Sequence, residues 1–241
     1  MPRYFFFIFF IISLSSYCQS LTGTQLLDRA ITHHDPHNNW ETFKGQLFIT
    51  MQTPKNRERH SKISIDLPNT YFSSVVTKGK NTITSTLEKE NCTLTLNGSS
   101  TISQNQKDSL RISCSRTKMM KDYYTYLYGL PMKLKDPGTI IDHIVVRKPF
   151  KGKEYLVLKV TYDKEVGKDT WYFYFDPKTY ALEVYQFFHD ESKNDGEYIL
   201  LTEEEKILNI KMPKNRAWYY NKDDTYLGTD ILTTAKPLEE H

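Results

Sequence analysis

Long hydrophobic runs are almost absent from this sequence of 241 residues. The one clear run spans residues 4–14 and is interrupted only by Ser13. Its roughly eleven residues are too few for a membrane-spanning helix, which needs about 20, and fit the apolar core of a signal peptide. Because no later stretch approaches a length of about 18 apolar residues, we expect no transmembrane segment in the mature chain.

Residues 1–20 are therefore predicted to be a signal peptide. Arg3 precedes the apolar run, and small or polar residues follow it up to Ser20, after which we place the cleavage site. This predicts export as a soluble protein to the periplasm of a Gram-negative bacterium. Cys18 leaves open the alternative of a lipid-anchored N-terminus, although the preceding Tyr17 is bulkier than a lipoprotein signal prefers.

Cysteine is rare, with three residues in the whole chain, which excludes a small disulfide-rich scaffold. Removal of the signal peptide leaves Cys92 and Cys114. Exported proteins form disulfides in an oxidising compartment, so these two residues are a candidate disulfide, and two buried free thiols are the alternative.

Neither sign of charge dominates, because 32 Lys and Arg residues stand against 29 Asp and Glu residues, a formal net charge of +3. This balance excludes nucleic acid as an expected partner. Glycine and proline, at ten residues each, exclude collagen-like and low-complexity chains. No pattern in the sequence predicts an oligomeric state.

Catalytic and cofactor motifs are also missing. The sequence contains no Gly-x-Ser-x-Gly, no His-Glu-x-x-His, no phosphate-binding glycine loop and no dinucleotide fingerprint. We therefore predict no catalytic residue and no cofactor. A hydrolase is an alternative, using His34 with Asp35 or two carboxylates near strand ends. Those carboxylates are Asp163, Asp169, Asp176, Asp190 and Glu197.

The densest set of metal-ligand types is His33, His34 and His37, around Asp35 and Pro36. Adjacent side chains on a helix point about 100° apart, and Pro36 ends the helix before His37. A zinc site needs three or four convergent ligands. We therefore predict no metal site, and interpret these histidines as favourable charges at the negative end of the helix dipole.

What is present is one helix followed by many short strands. Leu26, Leu27, Ala30 and Ile31 recur at helical spacing, and the helix ends at residues 35–36. The period then changes to two, with turn residues between segments. The predicted strands are 43–52, 58–67, 70–77, 81–88, 92–97, 108–115, 140–148, 154–162, 169–175, 180–189, 197–202, 206–211 and 216–220.

A second helix is predicted at residues 117–130, and residues 98–107 are predicted to be a loop. Six apolar side chains of this helix form one broad stripe, and Gly129 with Pro131 ends it. These six are Met119, Met120, Tyr123, Tyr124, Leu127 and Tyr128. No long linker or fixed repeat divides the rest, so residues 21–241 are predicted to be a single domain.

Strands with apolar residues on both faces define the predicted fold. Trp171, Phe173 and Phe175 point to one side of their strand, and Tyr172 and Tyr174 to the other. In the next strand, Leu182 and Val184 are expected on one face and Tyr185 and Phe187 on the opposite one. Both faces of the sheet should therefore be covered, one by helices and one by the sheet's own curvature.

We predict a mainly β (α+β) protein with a single strongly curved antiparallel sheet, or incomplete β-barrel. The N-terminal helix and the short mid-chain helix would cover its concave face. A helix-covered sheet with a solid aromatic core is the alternative.

Several segments resemble an uncharacterised family of exported proteins from Bacteroidota. The resemblance lies in residues 30–40, 123–139, 161–176, 196–199 and 226–230, and it is slight between residues 48 and 106. It implies an extracytoplasmic location. The Trp-x-Phe-x-Phe-Asp-Pro strand at residues 171–177 and the aromatic strand after it also look like the lipoprotein-carrier (LolA-like) half-barrels, whose concave apolar face receives acyl chains.

The function expected from these features is non-catalytic binding of a lipid or other apolar ligand. A hydrolase and an envelope structural or interaction protein are the alternatives. The residues expected to line the ligand site are Met119, Tyr123, Tyr124, Leu127, Trp171, Phe173, Tyr185 and Phe187.

Overall fold

Twelve antiparallel strands form one sheet that does not close on itself in the computed structural model, which describes residues 21–239. The predicted signal peptide and Cys18 lie outside these residues. The first half contains helix α1 (Gly23–His34) and strands β1 (Lys44–Gln52), β2 (Arg59–Asp66), β3 (Tyr71–Lys78), β4 (Asn81–Glu88) and β5 (Asn91–Leu96).

Two helices interrupt the strands, α2 (Gln104–Leu110) and α3 (Cys114–Gly129), followed by a 3-10 turn (Met132–Lys135). The second half contains β6 (Thr139–Phe150), β7 (Lys153–Tyr162), β8 (Thr170–Phe175), β9 (Leu182–Phe188), a 3-10 turn (Glu191–Lys193), β10 (Glu197–Ile207), β11 (Ile210–Tyr220) and β12 (Tyr226–Pro237). Among the described residues, no helix is long and apolar enough to cross a membrane.

The order of strands across the sheet is β5-β4-β3-β2-β1-β12-β11-β10-β9-β8-β7-β6. Consecutive strands pair with each other, with one exception: β5 and β6 form the two edges of the sheet and are connected by α2 and α3. The last strand, β12, pairs with the first strand, β1. Along the chain, the two helices therefore separate the two edge strands, which do not pair with each other.

One large hydrophobic core lies on the inner face of the strongly curved sheet and is covered by α1 and α3. It joins Leu47 of β1 to Phe72 of β3 and Phe173 of β8, together with Leu26 of α1 and Tyr128 of α3. A sheet whose distant strands share one core must bend around it, so the predicted fold class is confirmed.

The outer face of the second half carries a smaller cluster containing Tyr155, Val157, Tyr174 and Val184. Lysine side chains cover these rings in place of the curvature that we expected: Lys153 lies 5.3 Å from the centre of the Tyr155 ring. A bulge at Tyr174/Phe175 also corrects the face assignment in β9, because Phe175 pairs with Leu182 while Tyr174 pairs with Val184. Leu182 therefore joins the inner core and Val184 the outer cluster.

Four details of secondary structure differ from the prediction. Residues 108–115, predicted as a strand, hold the end of α2 and the start of α3, and Arg111 between them has a positive φ of 55°. Residues 206–211 are the hairpin between β10 and β11, not a strand of their own. Strand β12 was not predicted, and the predicted loop 98–107 contains the first residues of α2.

Candidate functional site

Helix α3 lies across the inner face of the sheet with one side buried and one side exposed. Tyr124, Leu127 and Tyr128 are buried in the core, whereas Met119 is 50% exposed. Ser113 caps the start of the helix by accepting a hydrogen bond from the Arg116 backbone N–H. The helix thus presents the Met- and Tyr-rich stripe read from the sequence, but only part of that stripe faces the core.

Three contacts hold α3 in place. A disulfide between Cys92 and Cys114 joins its first residue to β5. On its other side, the Tyr126 hydroxyl is hydrogen-bonded to that of Tyr162 on β7, with 2.5 Å between the oxygens. At its end, Gly129 packs so closely against Trp40 that an added Cβ would lie 2.4 Å from the indole Cζ2.

Two pockets flank α3. The first, which we call the aromatic pocket, has a volume of about 580 Å³ and lies between α3, the turn before β6, and strands β7 and β8. Its apolar walls are Met119, Tyr123, Tyr126, Tyr162 and Trp171, and Asp122, Asp136 and Lys168 are among its polar groups. An open aromatic wall with a few polar groups is typical of a small-molecule site.

The second, which we call the basic pocket, has a volume of about 380 Å³ and lies between strands β2 to β4, the end of α2 and the start of α3. Tyr124 and Met120 of α3 line it together with Ile83 and Ile112. Since residues 116, 120 and 124 lie on a different side of the helix from residues 119, 122 and 126, α3 separates the two pockets.

A buried polar cluster lies beneath α3, made by Arg216, Asp230, Tyr128, Tyr185 and Trp218. Arg216 and Asp230 are each only 1% exposed. The Arg216 guanidinium lies 3.8 Å from the centre of the Tyr128 ring and donates a 2.9 Å hydrogen bond to the Pro213 carbonyl. The ring therefore provides part of the compensation that a buried cation needs.

Each residue of this cluster has a buried polar atom without a hydrogen-bond partner: Arg216 Nε, Asp230 Oδ1, Tyr128 Oη, Tyr185 Oη and Trp218 Nε1. Unpartnered buried groups are rare and costly in proteins, and they concentrate at functional sites. The inner face beneath α3 thus keeps unused hydrogen-bonding capacity inside an otherwise apolar core.

Burial controls the protonation of this cluster. It raises the pKa of Asp230, while the charges of Arg59 and Arg216 act in the opposite direction. Burial also raises the pKa of Tyr128 and of Tyr185. Both phenols are therefore neutral near pH 7 and offer an O–H donor.

The predicted lining residues are divided among three places. Met119, Tyr123 and Trp171 line the aromatic pocket, and Phe187 stacks on Trp171 with 4.8 Å between the ring centres. Tyr124 lines the basic pocket. Leu127, Phe173 and Tyr185 are buried in the core beneath α3 and line neither pocket.

Sequence reasoning did not single out Tyr126, Tyr162, or the basic-pocket residues Lys78, Arg111 and Arg116, and it interpreted the basic patch at residues 55–59, which contains Arg59, as an exposed hairpin. Tyr126 stood within the predicted helix, and Tyr162 within a segment that carries the family resemblance. Neither position has a local pattern that distinguishes a pocket wall from a core residue. Their role appears only when α3 is placed beside β7.

The residues considered for hydrolysis have structural partners instead. The Asp35 carboxylate accepts hydrogen bonds from the backbone N–H groups of Asn39 and Trp40. Asp169 pairs with His189 at 2.7 Å, Asp176 pairs with Lys153 at 2.8 Å, and Asp190 caps the 3-10 turn after β9. Asp35 and Asp176 belong to different turns, whereas Asp169 is bonded to His189, the residue directly before Asp190.

His33, His34 and Glu204 bring three ligand atoms within 4.8 Å of one another. Both ring nitrogens of His34 are already bonded to the backbone, Nδ1 to the Lys211 carbonyl at 2.8 Å and Nε2 to the Leu182 N–H at 2.9 Å. A metal ion would have to break one of these bonds in a buried place. The arrangement therefore fits a structural histidine that joins α1 to β9 and β11.

The sequence model of a family of unknown function, DUF6503, matches residues 2–234. No curated protein matches the sequence. Solved structures with a similar fold include a LolA superfamily protein from Nitrosomonas europaea, with a TM-score of 0.55 and 11% identity over 92% of this chain and 96% of that one.

A putative outer membrane lipoprotein-sorting protein domain from Vibrio parahaemolyticus is similar with a TM-score of 0.53 and 10% identity, over 90% of this chain and 94% of that one. A DUF1329 family protein from Desulfovibrio piger is similar with a TM-score of 0.50 and 9% identity over the same shares. At this identity the likeness shows the fold alone.

Proposed function

We propose, given that this chain belongs to the DUF6503 family of unknown function, that it is an exported, non-catalytic binding protein for an amphiphile whose acyl chain occupies the aromatic pocket. The observation that carries the proposal is the position of α3, a helix with methionine and tyrosine side chains that lies over the inner face of an open, LolA-like sheet. The lipoprotein-sorting relative supports a lipid as the ligand, and it also supports a periplasmic location.

The chemistry of the aromatic pocket fits such a ligand. Its volume of about 580 Å³ falls inside the range of about 300–1,000 Å³ found for small-molecule sites. Met119 is flexible and half exposed at this pocket, and methionine adapts well to apolar ligands of varied shape. Trp171 and Tyr162 supply a rigid wall opposite α3.

The attachment of α3 suggests how the site could enlarge. The disulfide ties the start of the helix to β5, whereas the aromatic-pocket side is held by the hydroxyl contact between Tyr126 and Tyr162. A net contribution of about 1 kcal/mol is typical of such a hydrogen bond. Displacement of this side of α3 would open the unpartnered polar groups of the buried polar cluster to the head of the amphiphile.

Binding should be tested with uncharged monoacylglycerols of increasing chain length, using calorimetry and the tryptophan fluorescence of the wild type compared with that of a Trp171→Phe variant. Each added methylene buried in the pocket contributes about 0.8 kcal/mol, so affinity should rise with chain length until the pocket is filled. Met119→Gln should weaken binding several-fold. The matched control is Lys118→Gln, on the neighbouring exposed position that does not line the pocket.

The proposal is wrong if monoacylglycerols do not bind, or if affinity depends neither on chain length nor on Met119. Native mass spectrometry of protein purified from its own cell envelope gives an independent check. A co-purifying amphiphile supports the proposal, and its loss in a Met119→Gln, Trp171→Ala variant that keeps the wild-type circular dichroism would locate it in the aromatic pocket.

A further inference from the structure

The basic pocket collects positive charge from four separate parts of the chain. Arg59 comes from β2, Lys78 from the end of β3, Arg111 from the residue after α2, and Arg116 from the first turn of α3. Among the described residues that line this pocket there is no aspartate or glutamate. Such a concave surface of one sign focuses the electrostatic potential and attracts anions.

One of these four cations, Arg59, acts electrostatically on the buried carboxyl group of Asp230, and Asp108 lines an adjoining pocket together with Arg111 and Arg116. None of the four cations takes part in an ion pair within 4 Å among the pairs formed by the described residues, whereas Lys118 on the adjacent part of α3 pairs with Glu90 at 3.7 Å. The Nε of Arg59 is buried and lacks a hydrogen-bond partner.

The fold holds these groups in a fixed relation to one another. The positive end of the α3 dipole begins at Ser113, which lines the pocket, and the Cys92–Cys114 disulfide fastens that end to β5. The inner end of the pocket is closed by Tyr124 and by Ile83 and Ile112. A preorganised site of this kind loses little free energy to ordering when a ligand binds.

Guanidinium groups match the geometry of phosphate oxygens, to which they donate two parallel hydrogen bonds. We propose that the basic pocket is a binding site for a phosphate group, carried either by the head of an amphiphile or by free inorganic phosphate. This proposal goes beyond the acyl-chain site and does not depend on it, because the two pockets lie on opposite sides of α3.

The experiment measures binding of inorganic phosphate, dodecyl phosphate and the uncharged monododecanoylglycerol to the mature chain by calorimetry at low ionic strength. The variants are Arg116→Gln and Lys78→Gln, with Lys118→Gln as the control of equal charge change outside the pocket. Loss of one charge-assisted hydrogen bond corresponds to a tenfold or greater loss of affinity. The melting temperature of each variant shows whether it is folded. If Arg116→Gln is not folded, Lys78→Gln is used in its place.

We expect the phosphate ligands to bind, with at least tenfold weaker binding in Arg116→Gln and no change in Lys118→Gln. Tighter binding of dodecyl phosphate than of inorganic phosphate assigns the pocket to a lipid head, and equal binding assigns it to free phosphate. If neither phosphate binds, or if Arg116→Gln and Lys118→Gln lose affinity equally, the proposal is overturned. If monododecanoylglycerol still binds when the phosphate site is overturned, the separate proposal of an acyl-chain site in the aromatic pocket is still supported.

Discussion

Arg216 and Asp230 lie directly opposite each other on β11 and β12, yet their buried side chains form no ion pair. The Arg216 guanidinium instead lies 3.8 Å from the centre of the Tyr128 ring. The Asp230 carboxylate accepts a long hydrogen bond from the Tyr123 hydroxyl, with 3.5 Å between the oxygens. Both tyrosines belong to α3. The helix that covers the inner face is therefore also the partner of its two buried charges, which couples the position of α3 to the electrostatics beneath it.

Replacement of Tyr128 should separate the role of the ring from that of the hydroxyl. Tyr128→Phe keeps the ring under Arg216 and removes a buried oxygen without a partner, so the free energy of unfolding should change by less than about 1 kcal/mol. Tyr128→Leu loses the cation–π contact and ring volume, and should destabilise by about 2 kcal/mol or more. Urea denaturation measures both. Equal losses in the two variants would show that the hydroxyl makes a stabilising bond.

Removal of the Arg216 charge should leave Arg59 as the remaining cation that acts on the buried carboxyl group of Asp230. Arg216→Met should destabilise by about 2 kcal/mol or more at pH 7, because it removes the cation–π contact with Tyr128 and the hydrogen bond to the Pro213 carbonyl. Because Arg216 opposes the rise of the Asp230 pKa caused by burial, that pKa should rise further in the variant.

The double variant Arg216→Met, Asp230→Asn should recover part of this loss, since the second change removes the buried carboxyl group whose positive neighbour was lost. A double-mutant cycle in urea gives the coupling free energy directly. Strictly additive effects of the two substitutions would contradict the electrostatic coupling inferred for the buried polar cluster.

His34 should make stability depend on pH on the acidic side. Burial lowers the pKa of His34 from 6.5 to about 4. The Nε2 atom of His34 accepts a hydrogen bond from the Leu182 N–H, and protonation of Nε2 would break this bond. The hydrogen bond to the Lys211 carbonyl and the nearby Glu204 carboxylate oppose this lowering of the pKa, whereas the charges of His33 and Lys211 add to it.

The folded pKa lies below the unfolded one, so the unfolded chain binds more protons between them. The contribution of His34 is therefore complete above pH 6.5 and declines as pH falls towards 4, by roughly 3 kcal/mol in total. The difference between wild type and His34→Gln should shrink over this range. His60→Gln, at an exposed position, serves as the control. A difference that stays constant from pH 7 to 4 would contradict the assignment of a neutral, buried imidazole.

The disulfide should stabilise the attachment of α3 to β5. Cys92 and Cys114 are separated by 22 residues, and closing a loop of this length in the unfolded chain contributes roughly 3 kcal/mol in the chain-entropy description. Cys92→Ser, Cys114→Ser should lose about this amount in urea denaturation. Hydrogen exchange should accelerate most at the start of α3, and an unchanged exchange rate there would show that packing alone holds the helix.

The residue pattern predicted the local structure where local rules decide it. Alternation of apolar side chains identified most strands, and the residues from Met119 to Tyr128 identified α3. The pattern was wrong at residues 108–115 because Leu110 and Ile112 alternate like a strand while lying at a turn between two helices. It was wrong at residues 206–211 because the hairpin turns at Leu208 and Asn209, both with positive φ, without a glycine to mark it.

The sequence by itself determined that the strands are apolar on both faces and that one Met- and Tyr-rich helix interrupts them, because these features depend on neighbours along the chain. Only the tertiary structure decided which of those side chains line a pocket and which fill the core. Trp171 and Phe173 are two residues apart and therefore lie on the same face of β8. Phe173 is nevertheless buried under α3, whereas Trp171 faces the aromatic pocket. The sequence likewise did not show that Arg59 and Arg116 line one pocket. Residues this far apart along the chain come close together only through the curvature of the sheet and the position of α3.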